Sequence, residues 1–187
     1  ITEADEVGIY AKWALIKAFA LQSDSVRAHA ILLSLLRDPS FPLDLKVSVV
    51  SVLPLATEIP SETISCLFQL SSQESGLRGI AMEALARCSV KFPRFSTEIV
   101  RFLSVNLRSF LTKGDSKGSV DVISALGYTK ASSETEYVRA LTTHGCPNVR
   151  GAALVCLSRL DANGASSQVR HALRNDENSW VRFSALQ

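Results

Sequence analysis

Three histidines, four cysteines and a scatter of carboxylates and serines are the residues of this chain that could do chemistry. His29, His144 and His171 are far apart, and none has a second histidine or an acid one helical turn away. A helix-borne zinc or di-iron site needs a second ligand at that spacing, so no metal centre is expected. Cys66, Cys88, Cys146 and Cys156 form no CxxC pair and no finger-like ligand spacing. They read as free thiols among apolar neighbours, in keeping with a reducing, intracellular setting, cytoplasmic or nuclear. The serines lack a GxSxG elbow, and no glycine-rich loop could cradle a phosphate. Asp121, Glu134 and the cluster Glu3, Asp5 and Glu6 have no partner pattern and read as solvated faces. The expected catalytic, cofactor-binding and metal sets are therefore empty. No small-molecule substrate is expected, and the chain reads as a non-enzyme.

The elements that would have to position any site are helical. The 187 residues are 47% hydrophobic and 20% charged, with only nine glycines and six prolines, a balance that favours packed helices over strands or disorder. A net charge of +2 is too mild for bulk attraction to nucleic acid or lipid. No apolar run is long enough for a membrane span. The chain opens on Ile1 without a leader pattern, and its last apolar period runs into Gln187, so a piece of a longer protein is expected.

Apolar periodicity predicts an opening helix over residues 3–22, followed by capping chemistry at Ser23-Asp24-Ser25. Further helices are expected over 26–37, 43–54, 60–70, 76–90, 97–112, 119–128, 134–143, 148–160, 164–174 and from 179 onward. Residues 47–53 alternate Val and Ser, which locally favours a strand, but Leu45, Val49, Val52 and Leu53 fit a helical face and the register supports helix. Ser96 is a candidate N-cap, as is Ser132 or Ser133. The segment Lys113–Gly118 reads as a flexible basic loop, and Pro147 suits a first helical turn.

One segment recurs. Asn148–Leu160 has a near-copy 72 positions upstream, where Arg78, Gly79, Ala81, Leu85 and Arg87 match Arg150, Gly151, Ala153, Leu157 and Arg159. A third copy opens at Trp180-Val181-Arg182. Second helices begin near Lys46, Arg78, Gly118, Arg150 and Arg182, at steps of 32, 40, 32 and 32 residues. A helix pair repeated at that period cannot bury its apolar face alone, so stacking of neighbours must complete the core.

The run Asn148-Val149-Arg150 with Ala152, Ala153 and Leu157, together with Leu77-Arg78, Ala81 and Leu85, and Val181-Arg182 with Ala185, resembles the second helix of HEAT repeats. The turn Asp38-Pro39 resembles the turn within such a repeat. The resemblance implies an all-α fold, a right-handed α-solenoid of about five HEAT-like pairs, with first helices convex and second helices concave. It divides a single domain, 1–187, into pairs at about 24–56, 60–91, 95–129, 132–160 and 164–187, with 1–22 as an extra helix. The HEAT-like hydroxylases carry His-Glu iron pairs, which this sequence lacks.

What the resemblance implies about function is a protein–protein interaction scaffold within a larger assembly. Arg78, Arg150 and Arg182, fixed by the repeat, are expected to serve stacking. Positions that differ between copies, Met82, Glu83, Leu154, Val155 and Ser158, are candidates for a partner surface, with Arg87 and Arg159 beside them. Arg87 and Arg159 also suit the negative end of a helix dipole. One alternative is nucleic-acid backbone binding on a basic ladder of Lys46, Arg78, Arg87, Arg150 and Arg159. Another is tubulin binding in the manner of TOG domains through turns holding Phe41, Lys113 and Lys117. The turn at Asn175–Asn178 is acidic, however, and the aromatic Trp of that family is missing from these turns.

Overall fold

The structure is a computed structural model that describes residues 26–73 and 76–186. The helix expected over 3–22 and the cap at Ser23–Ser25 lie outside the described residues. Every regular element among the described residues is helical. The α-helices are α1 (Val26–Arg37), α2 (Leu43–Val52), α3 (Ser61–Ser72), α4 (Arg78–Lys91), α5 (Ser96–Lys113), α6 (Ser116–Thr129), α7 (Thr135–Leu141), α8 (Pro147–Leu160), α9 (Ser166–Asn175) and α10 (Ser179–Ser184). Within each unit neighbouring helices pack on one another, an all-α arrangement. None is long and apolar enough to cross a membrane. The chain divides into two compact units, Ile1–Leu85 and Ala86–Gln187.

In the first unit α1 packs on α2 and α3. Leu32, Leu33 and Leu36 are buried while Arg27, Ser34 and Arg37 face solvent, so α1 is amphipathic at helical period. Asp38 stops α1: its Oδ1 accepts from the Ser40 amide at 2.8 Å and the Ser40 hydroxyl at 2.7 Å, a local turn that competes with helix. The ambiguous Val/Ser run is helix α2. Leu45, Val49, Val50 and Val52 are buried, and Ser48 and Ser51 donate back to the carbonyls of Asp44 and Val47 four residues earlier. Those backbone acceptors satisfy hydroxyls that β propensity would have placed on a sheet face. A 3₁₀ turn, Leu53–Leu55, then carries the buried Pro54.

His29 ties this unit together. It is buried, with Nε2 3.1 Å from the Glu58 carbonyl and Nδ1 3.2 Å from the Thr63 hydroxyl. A carbonyl can only accept, so Nε2 carries the proton and Nδ1 accepts from Thr63, which satisfies the neutral ring completely.

In the second unit the pairs are α5 with α6, α7 with α8, and α9 with α10, and the second members pack on each other, α6 on α8 and α8 on α10. Two backbones approach closely there. A Cβ on Gly151 would lie 2.8 Å from the Ser184 hydroxyl, and one on Gly127 would lie 3.3 Å from the Cys156 Cα. Ile99, Leu103 and Leu107 of α5, Val122, Ile123 and Leu126 of α6, and Leu154 and Leu157 of α8 are fully buried. Each such side chain contributes about 1.5–3 kcal/mol of transfer free energy.

Two local expectations are corrected. Lys113–Gly118 is not a flexible loop. Gly114 closes α5 in the left-handed region (φ 71°), and Asp115 caps α6 by accepting from the Gly118 amide at 2.8 Å, so two residues make the connection. The length added in the 40-residue step lies largely in α5, which has 18 residues against 7 in α7. Ser96 does not cap. A 3₁₀ turn, Pro93–Phe95, feeds α5 directly, and Ser96 is its first helical residue; likewise neither Ser132 nor Ser133 caps α7, because both lie in a 3₁₀ turn. Pro147 does occupy the first turn of α8.

Burial holds the His29 pKa below its ordinary value of 6.5, against the opposing bond to the Glu58 carbonyl. The folded state therefore binds this proton less readily than the unfolded chain does. Its contribution to stability is complete above about pH 6.5 and declines as the pH falls towards the folded value. Urea denaturation is expected to show stability falling from about pH 7 to about pH 5. That slope should be smaller in His29→Gln, and an equal slope in the variant would refute the assignment.

Candidate interaction surface on the second helices

Two of the repeated arginines, Arg150 and Arg182, bond to turns. Arg150 grips Asp176 with a two-pronged contact, Nε to Oδ2 and Nη2 to Oδ1, both at 2.9 Å. Its Nη1 donates to the carbonyls of His144 and Gly145 at 3.0 and 3.1 Å. One guanidinium thus joins the turn of its own repeat to the turn of the next, a planar fork that lysine could not reproduce. Arg182 repeats the carbonyl half of this pattern, with Nη1 donating to Asp176 and Glu177 at 2.8 and 3.1 Å. Arg78 is buried. A second staple, which the sequence reading missed, is Arg139 of α7. It donates to the Asp161 carboxylate at 3.0 Å and the Gly164 carbonyl at 2.9 Å.

The positions that differ between copies separate into two groups. Met82 is 0% and Leu154 1% exposed, so neither can meet a partner; both belong to the core. Leu154 packs with Ala172, Val181 and Ala185 beneath the next helix pair. The reason is helical geometry. Each sits one turn after a repeated arginine and so lies on that arginine's side, which faces inward. Glu83, Val155 and Ser158 are half-buried, and the Ser158 hydroxyl donates to the Val155 carbonyl at 2.8 Å. Arg87 and Arg159 are exposed. They lie nine residues, about two and a half turns, from Arg78 and Arg150, and so on the opposite side of their helices.

Arg87 and Arg159 meet on one residue. The Arg87 guanidinium stands 5.0 Å and that of Arg159 4.6 Å from the ring centroid of Tyr128, in the last turn of α6. A ring can hold two cations in this way because its face is electron-rich. Close approach at Gly127, where a Cβ would be 3.3 Å from the Arg159 Cδ, lays the Arg159 stem along α6. Tyr128 was not singled out from the sequence, since nothing in its own neighbourhood marks it; the contact spans three helices.

The basic ladder is not displayed as a ladder. Arg78 is buried, and the fork of Arg150 is occupied by Asp176 and two carbonyls. Of the turn residues considered for tubulin, Phe41 is half-buried, while Lys113 and Lys117 are exposed on either side of the Gly114-Asp115 connection.

The histidines are not all separate in space. His144 and His171 line one open groove of about 740 Å³ with Arg150, Asn175, Asp176 and Glu177. The His144 Nδ1 accepts from the Cys146 amide at 3.1 Å. Among the described residues, no group of three or more His, Cys, Asp or Glu could hold a metal ion. All four cysteines are free thiols. Burial pushes Cys88 and Cys156 up to about 12 and raises Cys66. Cys146, half-buried at the start of α8, goes the other way. A hydrogen bond with Ser116 and backbone amides of Val149 and Asn148 hold its pKa below the ordinary thiol value.

Residues 105–187 match the family model described as HEAT repeats. No curated protein and no solved structure matches the chain.

Arg150→Ala is expected to destabilise the fold by about 2 kcal/mol at neutral pH, measured by chemical denaturation. Hydrogen bonding to Arg150 holds the Asp176 carboxyl below its usual range. The pair's contribution is therefore present above the ordinary carboxylate pKa of about 4 and lost as pH falls through the folded value, so wild type and variant should converge in acid. A gap that persists in acid would assign the loss to packing instead.

Native-state alkylation should modify Cys146 first, with its rate levelling off at a lower pH than for an ordinary thiol. Cys66, Cys88 and Cys156 should react only on unfolding. Mass mapping that finds Cys88 or Cys156 labelled first would contradict the structure.

Proposed function

Taking residues 105–187 as HEAT repeats, we propose that this chain is a non-catalytic protein-interaction scaffold that engages its partner through the exposed side of its second helices. HEAT repeats are generally protein-interaction scaffolds and are typically non-catalytic. The observation that carries the reading is the succession α6, α8, α10. Each packs on the next, and Ser124, Tyr128, Asn148, Val155 and Arg159 lie exposed or half-buried along α6 and α8. A surface built on packed helices needs little ordering to bind, which favours association. The repeated arginines Arg78, Arg150 and Arg182 serve stacking in this reading. Arg87 and Arg159, with Val155 and Ser158 on the same side of α8 as Arg159, face the partner in this reading.

A photo-crosslinking residue at Ser124, one turn before Tyr128, should yield an adduct with a discrete cellular protein. The same residue at Val105, exposed on the first helix α5, should not. Ser124→Arg should abolish retention of that protein, and Val105→Glu should leave it intact. Crosslinking from position 105 alone, or from neither position, would sink the proposal.

A further inference from the structure

We propose that Asn163 is a latent deamidation site, kept unreacted in the folded protein by a clasp of Arg139, Asp161 and Gly164 and converted to aspartate or isoaspartate when that clasp opens.

The sequence supplies the reactive group. Asparagine is lost when the main-chain nitrogen of the next residue attacks its side-chain carbonyl carbon. A glycine in that next position leaves the attack unhindered, because it has no Cβ and turns freely. Of the asparagines in the chain only Asn163 is followed by glycine. It lies exposed in the turn between α8 and α9. The clasp is what demands the glycine. A Cβ on Gly164 would overlap the Asp161 carboxylate, so a less reactive neighbour for Asn163 would displace that carboxylate.

The same contact restrains the nucleophile. The Gly164 amide donates to Asp161 Oδ1 at 2.9 Å, and the Gly164 carbonyl accepts from Arg139 Nη1 at 2.9 Å. Arg139 completes the clasp by donating from Nη2 to Asp161 Oδ2 at 3.0 Å. The Ala165 amide donates to the Asp161 carbonyl at 2.9 Å, which winds the segment into a helical turn. For the ring to close, the Gly164 nitrogen must give up a charge-assisted bond and leave that turn to reach Asn163 Cγ. The reaction therefore proceeds from a locally opened state, whose population sets its rate.

In that state the Gly164 nitrogen loses its proton to water and bonds to Asn163 Cγ. The Cγ–Nδ2 bond breaks, and Nδ2 leaves as ammonia. Water then adds to either carbonyl of the ring and opens it. One product is aspartate; the other is isoaspartate, whose main chain is lengthened by the side-chain carbon. Water is the only co-reactant. The lengthened chain upsets the spacing of the bond from Ala165 to Asp161, and either product sets a new carboxylate two residues from Asp161. Reclosure is opposed, so the site keeps a permanent mark of each opening between α7 and the start of α9.

The test incubates the full 187-residue chain at mildly alkaline pH. Peptide mapping by mass spectrometry follows residue 163, and released ammonia is the second readout. Conversion in the folded wild type is expected to be at least about tenfold slower than in the urea-unfolded chain. Arg139→Ala and Asp161→Ala, shown folded by circular dichroism, should each raise the folded rate about tenfold. Arg139→Lys keeps the charge but cannot bridge both acceptors, and should raise it less; it decides the matter should both alanine variants unfold. Arg150→Ala weakens the fold through other contacts and should leave the rate near that of wild type. Asn163→Gln should abolish the signal. The proposal is overturned if folded wild type converts as fast as the unfolded chain, if no clasp variant is faster than wild type, or if Arg150→Ala accelerates the reaction as much as Arg139→Ala.

Discussion

Close approach of the second helices is the constraint on which the second unit depends. Helix α8 packs on α6, α7, α9 and α10, and glycine occupies its close approaches to α6 and α10. At Gly151 the facing Ser184 hydroxyl is so near that any side chain would have to displace it, and at Gly127 the facing atoms are the backbone and stem of α8. Apolar burial then supplies the driving force. Leu154 and Leu157 project from a helix that its neighbours cover on several sides.

Electrostatics fixes the register that packing alone would leave loose. Arg150 spans from the carbonyls of one turn to the carboxylate of the next, and Arg139 does comparable work between α7 and the connection after α8. In each case a carboxylate and a backbone carbonyl both accept from one guanidinium, so the contact ties a helix to a neighbouring turn. The pair at Arg87 and Arg159 differs in kind. Those guanidiniums lie on the far side of their helices, over Tyr128, where solvent reaches them.

That division between inward and outward arginines was partly legible from spacing. Arg150 and Arg159 are nine residues apart, and about two and a half turns of helix must put them on opposite sides. The same arithmetic would have placed Leu154 inward, beside Arg150. Comparing copies could not do so, because a position may differ between repeats simply to fill a different space in the core. Lys113–Gly118 misled for another reason: glycine and lysine suggest a loop, but a left-handed glycine followed by a capping aspartate joins two helices with no loop at all.

By itself the sequence determined what depends on period and local chemistry: the helices of the described residues and the recurrence at steps near 32 residues. These follow from which side of a helix is apolar and from where proline, glycine and aspartate stop it. Only the tertiary structure decided which side of each helix stays exposed, that His144 and His171 share a groove, and that Tyr128 gathers arginines from two other helices. Those are contacts between residues more than twenty positions apart. They are set by how closely successive second helices pack, a distance that no local pattern encodes.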